Sequence, residues 1–270
     1  MMYIPNQPLN VASAGQLTIW QTAIDSHFSY EDRVKNAKSS FKLKNVVGNN
    51  TFRHVRETLE KMCFGHRRCM YCEDSCADEV EHAMPKDLYP EQVFCWENYL
   101  YACGPCNGPK SNRYAIFSIA GVVTEVGRNA KAPIVPPIAG EHVFINPRLE
   151  DPFLTLELDL SGTFRFRPMT GANAVSEARA NWTIVVLGLN TRKFLVKARE
   201  NVFNLCRVAL REYSRMKMEG ADLAELDNIQ TTIMEMPHPT VFNEMQRQAA
   251  FNRRIGDIFR TVPEALSWSR

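Results

Sequence analysis

Between residues 69 and 110 the chain sets out cysteines, a glutamate, a histidine and two asparagines in an order suited to metal-assisted chemistry. Cys69 and Cys72 form one Cys-x-x-Cys pair, and Cys103 and Cys106 form another. Two such pairs can give one ion four thiolates in the tetrahedral arrangement that zinc prefers. Two unrelated pairs of buried cysteines would be the plain alternative, and the repeated spacing argues against it. A redox pair would need a thioredoxin-like βαβ setting, which the flanks do not supply. Thirty residues separate Cys72 from Cys103, more than a simple zinc ribbon needs, so something is held between the knuckles.

What lies between them is Glu81-His82, with Asn98 and then Asn107 downstream. A carboxylate is a hard ligand suited to Mg²⁺ or Mn²⁺. A histidine titrates near neutrality and can take a proton from water. Alone, the pair says little, because most histidines are core or surface residues. Asn107 directly follows the second knuckle, so a zinc ion would fix its position, and its amide oxygen could be a second hard ligand. A helix N-cap is its structural alternative. Asn98 can pin a loop through backbone groups, or be an ordinary turn residue.

The elements around these residues are mostly helical. Residues 16–62 read as helix, with a capping-box-like start at Ser29 and Asp32 and a break at Gly48-Asn49-Asn50. Val80 before Glu81 suggests a short strand ending at the Glu-His pair. Residues 128–140 read as an irregular connection, because three prolines deny hydrogen bonds to ladder and helix. Two β-type runs, 154–160 and 163–167, flank Ser161-Gly162 as a hairpin. Residues 191–217 carry the clearest helical period, with Phe194, Leu195, Ala198, Val202, Leu205, Cys206, Ala209 and Tyr213 on one side. Lys193, Lys197, Arg207, Arg211 and Arg215 line the other, either as a solvated face or as a surface that tracks a nucleic-acid backbone. Residues 222–270 offer further amphipathic helix and no nameable chemistry.

The 270 residues are 45% hydrophobic and 23% charged, an ordinary globular composition. Neither a membrane-length apolar run nor a leader-like start is present, so the expectation is a soluble cytoplasmic protein. Residues 163–217 hold eleven basic residues against three acidic ones, and residues 60–116 hold six against nine. A basic body beside an acidic centre suits an anionic polymer brought to a site that holds a cation. Cys63, Cys76, Cys95 and Cys206 read as small buried hydrophobes, Trp96 reads as core packing, and His54, His66, His142 and His238 receive no role.

The ordered set Cys-x-x-Cys, Glu81-His82, Pro85-Lys86, Trp96-Glu97-Asn98, Cys-x-x-Cys-Asn107 and Lys110 resembles the HNH endonucleases of the ββα-metal superfamily. It is most similar to the HNH subunits of Septu-type and retron-linked anti-phage systems, where a Glu-His-x-x-Pro-Lys segment recurs. The motif covers about 45 residues. A weaker likeness extends to Asn146-Pro147-Arg148, Asp151-Pro152, the hairpin, and Leu187 to Arg199.

The resemblance implies an α+β fold. A ββα-metal core with a four-cysteine zinc site would occupy residues 63–127, between an N-terminal helical segment (1–62) and a mostly helical region with a β-hairpin (128–270). It implies His82 as general base, Glu81 and Asn107 as holders of one Mg²⁺ or Mn²⁺, and Asn98 as the residue shaping the loop that orients His82. Cys69, Cys72, Cys103 and Cys106 would bind structural zinc, and Lys86 and Lys110 would contact phosphate. The substrate would be nucleic acid, DNA rather than RNA, with no membrane. Two other functions compete: a zinc-ribbon module that binds nucleic acid without cutting, and an effector subunit active only with an ATPase partner. A binding module has no need of Glu81, His82, Asn98 and Asn107 together.

Overall fold

Short polar side chains start the N-terminal helices. Asn10 accepts from the Ser13 N–H and opens α1 (Val11–Asp25), Ser29 accepts from Asp32 and opens α2 (Tyr30–Lys44), and Asn49 accepts from Phe52 and opens α3 (Asn50–Met62). The computed structural model describes residues 1–129 and 131–269. Helix begins at Val11 rather than at residue 16 because Asn10 caps it there. Phe52, Val55, Leu59 and Met62 give α3 an apolar stripe at helical spacing. Trp20 stacks on Phe52 with centroids 6.0 Å apart, and Phe41 meets Phe52 edge-on at 5.4 Å. These rings form the wall against which the next elements pack.

β1 (Glu79–His82) pairs antiparallel with β2 (Tyr99–Ala102), Glu79 opposite Ala102 and His82 opposite Tyr99. Cys103 then caps α4 (Gly104–Lys110). Next comes a three-stranded sheet that the sequence reading did not foresee: β3 (Ala115–Phe117), β4 (Val123–Glu125) and β5 (Glu141–His142), in the order β4-β3-β5. Strands of two or three residues are too short to show a period of two. Gly140 lets β5 approach β3, since a Cβ there would lie 2.2 Å from the Phe117 carbonyl oxygen. The described residues of 128–140 carry no helix or strand, and Ala130 lies outside the described residues.

β6 (Leu156–Leu158) and β7 (Phe166–Pro168) form the expected hairpin, its turn closed by Asp159 accepting from the Ser161 and Thr163 N–H groups. The helices α5 (Ala174–Val186), α6 (Lys193–Met218), α7 (Leu223–Met234), α8 (Pro239–Gln248) and α9 (Arg253–Phe259) complete the chain, whose last residue, Arg270, is also outside the described ones. α6 corrects the helical wheel. Phe194 and Leu205, expected on its inner side, are each 54% exposed, while Arg199 is 1% exposed. The buried arc is centred on that arginine. Its guanidinium donates to the carbonyls of Phe164 and Leu189 and lies 4.5 Å from the Phe166 ring, which compensates the burial of a charge.

One contiguous hydrophobic core runs from Met1 to Trp268, so all three sequence segments contribute to it. Arg148 bonds the carbonyls of Trp96 and Tyr99 and the side chain of Asn6, tying the three together. Among the described residues no helix is long and apolar enough to cross a membrane.

Phe52→Ala should destabilise the protein by about 3–5 kcal/mol through the cavity it leaves. Phe28→Ser, at a fully exposed ring, should change stability by less than about 0.5 kcal/mol. Urea denaturation followed by circular dichroism measures both. Equal midpoints for the two variants would contradict the placement of Phe52 at the centre of the aromatic wall.

Candidate active site and metal centre

The two knuckles converge. The Sγ atoms of Cys69, Cys72, Cys103 and Cys106 all lie within 4.8 Å of one another, and all four residues are buried. The Cys72–Cys103 separation is 3.8 Å, equal to the edge of about 3.8 Å that four Zn–S bonds of about 2.3 Å impose on a tetrahedron. The cluster therefore has the geometry of a structural zinc site. Four thiols this close cannot all ionise without a cation. The contacts among them push Cys72 and Cys103 below the usual thiol range, while burial raises Cys69 and the thiol contacts raise Cys106. The Cys103 N–H donates to Cys69 Sγ at 3.3 Å and Arg192 donates to Cys106 Sγ at 3.1 Å. These donors offset the surplus charge that four thiolates would leave on a divalent ion.

Beside the cluster lies a cleft of about 410 Å³ whose walls include Lys38, Glu79, Glu81, His82, Lys86 and Asn107. β1 carries Glu79 and Glu81 on one face, as its period of two requires. Asn107 lies inside α4 rather than at its cap, and its amide donates to Glu79 Oε2 at 2.5 Å. That bond turns the amide so that Oδ1 remains the free hard donor. Glu81 is buried, and desolvation raises its carboxyl above the usual range.

Lys110 corrects an expectation. Instead of facing phosphate it is fully buried, with Nζ 2.5 Å from Glu81 Oε1 and donating to the His82 carbonyl at 2.8 Å. Lys86 stays at the cleft wall, 5.0 Å from the Phe41 ring, its pKa lowered by burial.

His82 ends β1 at 3% exposure, 4.5 Å from the Phe41 ring and 5.2 Å from Tyr99. Its Nε2 lies 3.0 Å from the Val93 carbonyl. A carbonyl only accepts, so Nε2 carries the proton and Nδ1 holds the lone pair. Burial holds its pKa well below 6.5. Asn98 makes three bonds to the intervening loop: Oδ1 accepts from the Met84 N–H at 2.7 Å, and Nδ2 donates to the Met84 and Gln92 carbonyls at 3.0 and 2.9 Å. The loop that carries Val93 is thereby fixed relative to β2.

The basic stripe of α6 does not reach this cleft: Lys193, Lys197, Arg207, Arg211 and Arg215 are absent from its walls. Lys197 pairs with Glu200, Arg215 pairs with Glu212 and Glu219, and Arg207 donates to Asn204. Lys193 and Arg211 are exposed. Sequence reasoning missed Glu79, although its place two residues before Glu81 put it on the same strand face. It also missed Arg192, for which no local signal exists. Cys63 and Cys206 are buried as expected, but Cys76 is exposed and Cys95 only half-buried. Arg67 donates to Cys76 Sγ at 2.9 Å, a polar setting that keeps this thiol at the surface. Trp96 packs in the core and donates to the Gln7 carbonyl.

No protein-family model matches the chain. Over 68 residues it is 38% identical to the Septu protein PtuB of Bacillus thuringiensis, a match covering 23% of this chain and 26% of that protein. The matched stretch is thus about a quarter of the relative's length.

Purified protein should carry about one zinc per chain, and Cys106→Ser should lose both the zinc and the fold, because binding there contributes about 10–16 kcal/mol at neutral pH. Elemental analysis beside circular dichroism checks this. Wild-type protein that is folded and zinc-free would overturn the assignment.

Proposed function

We propose that the chain is a metal-dependent HNH-type endonuclease that hydrolyses the phosphodiester backbone of nucleic acid, DNA in the first instance. The carrying observation is the buried His82 ring, its Nε2 held 3.0 Å from the Val93 carbonyl, beside hard oxygen donors in one cleft. A zinc-ribbon module that only binds would not need a buried histidine aligned in this way.

The donor set fits a hard divalent cation. Glu81 and Asn107 would hold it, with Glu81 Oε1 occupied by Lys110 and the other carboxylate oxygen left to the ion. When bound, Mg²⁺ or Mn²⁺ stabilises the charge that develops on the phosphate and on the leaving 3′ oxygen. His82 Nδ1 takes the proton of the attacking water. The Val93 carbonyl and the aromatic wall hold that lone pair in one direction. Asn98 keeps the loop and β2 in register, so the carbonyl does not drift from the ring. Glu79 positions the Asn107 amide, and Lys86 meets a substrate phosphate at the cleft mouth. Lys110 acts from inside, anchoring the Glu81 carboxylate and the His82 carbonyl together.

The likeness to nucleases of anti-phage systems, with the local match to a Septu protein, supports a role in defence. The same likeness supports an ATPase partner, with cleavage by the isolated chain weak until that partner is present.

Plasmid cleavage should require Mg²⁺ or Mn²⁺, and His82→Ala should lower the rate about 10²–10⁴-fold with zinc content and circular dichroism unchanged. A His82→Ala protein that cuts at the wild-type rate would remove His82 from the mechanism. Failure of wild type to cut alone, with cutting once the native partner is added, would locate the activity in the complex.

The lowered pKa of His82 fixes a direction in pH. The ring is neutral in the fold, whereas the unfolded chain protonates it near pH 6.5. Between pH 6.5 and the folded pKa the unfolded state therefore binds more protons, and stability falls as pH falls through that window. The acidic limb of kcat/KM should accordingly lie below pH 6.5. A limb at or above pH 6.5 would show that the ring is not buried during catalysis.

A further inference from the structure

We propose that a pocket adjoining the cleft binds an unpaired nucleobase of the substrate, next to the phosphate being cut; this rests on the nuclease reading above. The pocket is about 440 Å³, and its walls include Tyr30, Arg33, Tyr89, Glu91, Pro137 and His142.

Continuity with the cleft is the first argument. α2 contributes Lys38 to the cleft and Arg33 and Tyr30 to the pocket. Lys38 and Arg33 are about one and a half turns apart, roughly 8 Å along the helix. The loop after His82 does the same, giving Lys86 and Asp87 to the cleft and Leu88 and Tyr89 to the pocket. The Tyr30 hydroxyl donates to the Leu88 carbonyl at 2.9 Å, locking the helix to the loop. A strand whose phosphate sits at Lys86 brings a neighbouring base to Tyr89.

The second argument is the chemistry of the walls. Tyr89 is held edge-to-face by Tyr114 at 5.2 Å and by His142 at 6.0 Å. Rings fixed in this way lose little freedom when a base stacks on them, and stacking on an aromatic side chain accepts any base. Arg33 adds a polar edge. Its Nε is buried without a hydrogen-bond partner, a donor that a base nitrogen or carbonyl would satisfy. A base inside a duplex presents neither its face nor its pairing edge, so the occupant is unpaired: a single strand, a loop or a flipped nucleotide.

The test is fluorescence anisotropy of full-length protein, without added Mg²⁺ or Mn²⁺, using labelled single-stranded DNA, single-stranded RNA of the same sequence, and the DNA duplex. Tyr89→Ala should weaken binding of a single strand at least about fivefold and duplex binding less than twofold. Tyr89→Trp, which keeps a stacking face, should restore it. The DNA and RNA arms then identify which sugar the site accepts. Equal loss on duplex and single strand, or no loss on either, with zinc content and circular dichroism unchanged, would overturn the pocket. A proline-rich peptide displacing no oligonucleotide yet binding wild type better than Tyr89→Ala would overturn it in favour of a peptide groove. Wild type that cuts plasmid while Tyr89→Ala binds single strands normally removes the pocket alone. Wild type that neither cuts nor binds, with or without a partner, removes the nuclease reading as well.

Discussion

Four cysteine sulfurs held within 4.8 Å of one another constrain far more chain than they occupy. They join the turn before β1 to the helix after β2, so the strand pair between them closes at one end only. His82 ends β1, Asn98 precedes β2, and Asn107 directly follows the second knuckle. Their relative positions are therefore set by the cluster before any direct contact among them counts. The stabilisation that zinc can supply at such a site, about 10–16 kcal/mol, is comparable with the whole net stability of a typical domain, about 5–15 kcal/mol. Arg192 reaches the cluster from the chain just before α6, which makes the C-terminal region sensitive to the same centre.

The opposite end of the strand pair is held by apolar packing. His82 is buried between Phe41 of α2 and Tyr99 of β2, and the helices α1 to α3 that complete this packing hold none of the proposed cation ligands. Phe41 shields the ring from water. Gln21 reaches across from α1, accepting from the Phe94 N–H at 2.8 Å and donating to the Pro90 carbonyl at 3.1 Å. The Val93 carbonyl that fixes the tautomer is thus flanked by residues fastened to a different element. Without those helices a Glu-His pair would be one more hydrated turn.

The parts legible in the sequence were those in which local spacing and chemistry coincide: paired cysteines, the hairpin turn, the capped start of α2. The buried cations were not legible. Lys110, Arg148 and Arg199 each donate to main-chain carbonyls ten or more residues away in sequence. A carbonyl carries no residue identity, so no pattern of side chains announces it. Hydrophobicity places such residues outside, and the α6 wheel went astray for that reason. The sequence does carry one signal about the stripe. Lys197 and Glu200, like Arg215, Glu212 and Glu219, stand three or four residues apart, so part of the apparent basic stripe was already neutralised along its own helix.

Charge summed by segment also misjudges what a substrate would meet. Residues 60–116 are acidic by count, six basic residues against nine acidic ones, which suits a centre that holds a cation. Folding changes the balance. Lys38 arrives from α2 and pairs with Asp87 at 2.8 Å, Arg128 arrives from beyond β4 and donates to the Asp87 carbonyl, and Lys110 meets Glu81. Around the cleft Lys38, Lys86 and Lys110 stand against Glu79, Glu81 and Asp87, a near-neutral set. A divalent cation at Glu81 and Asn107 would then tip the cleft positive, and the ion and the phosphate would each favour the other's binding. Under the proposed nuclease function, cation and nucleic acid would enter together, and Lys110, paired with Glu81, would keep the cleft from holding the ion tightly beforehand.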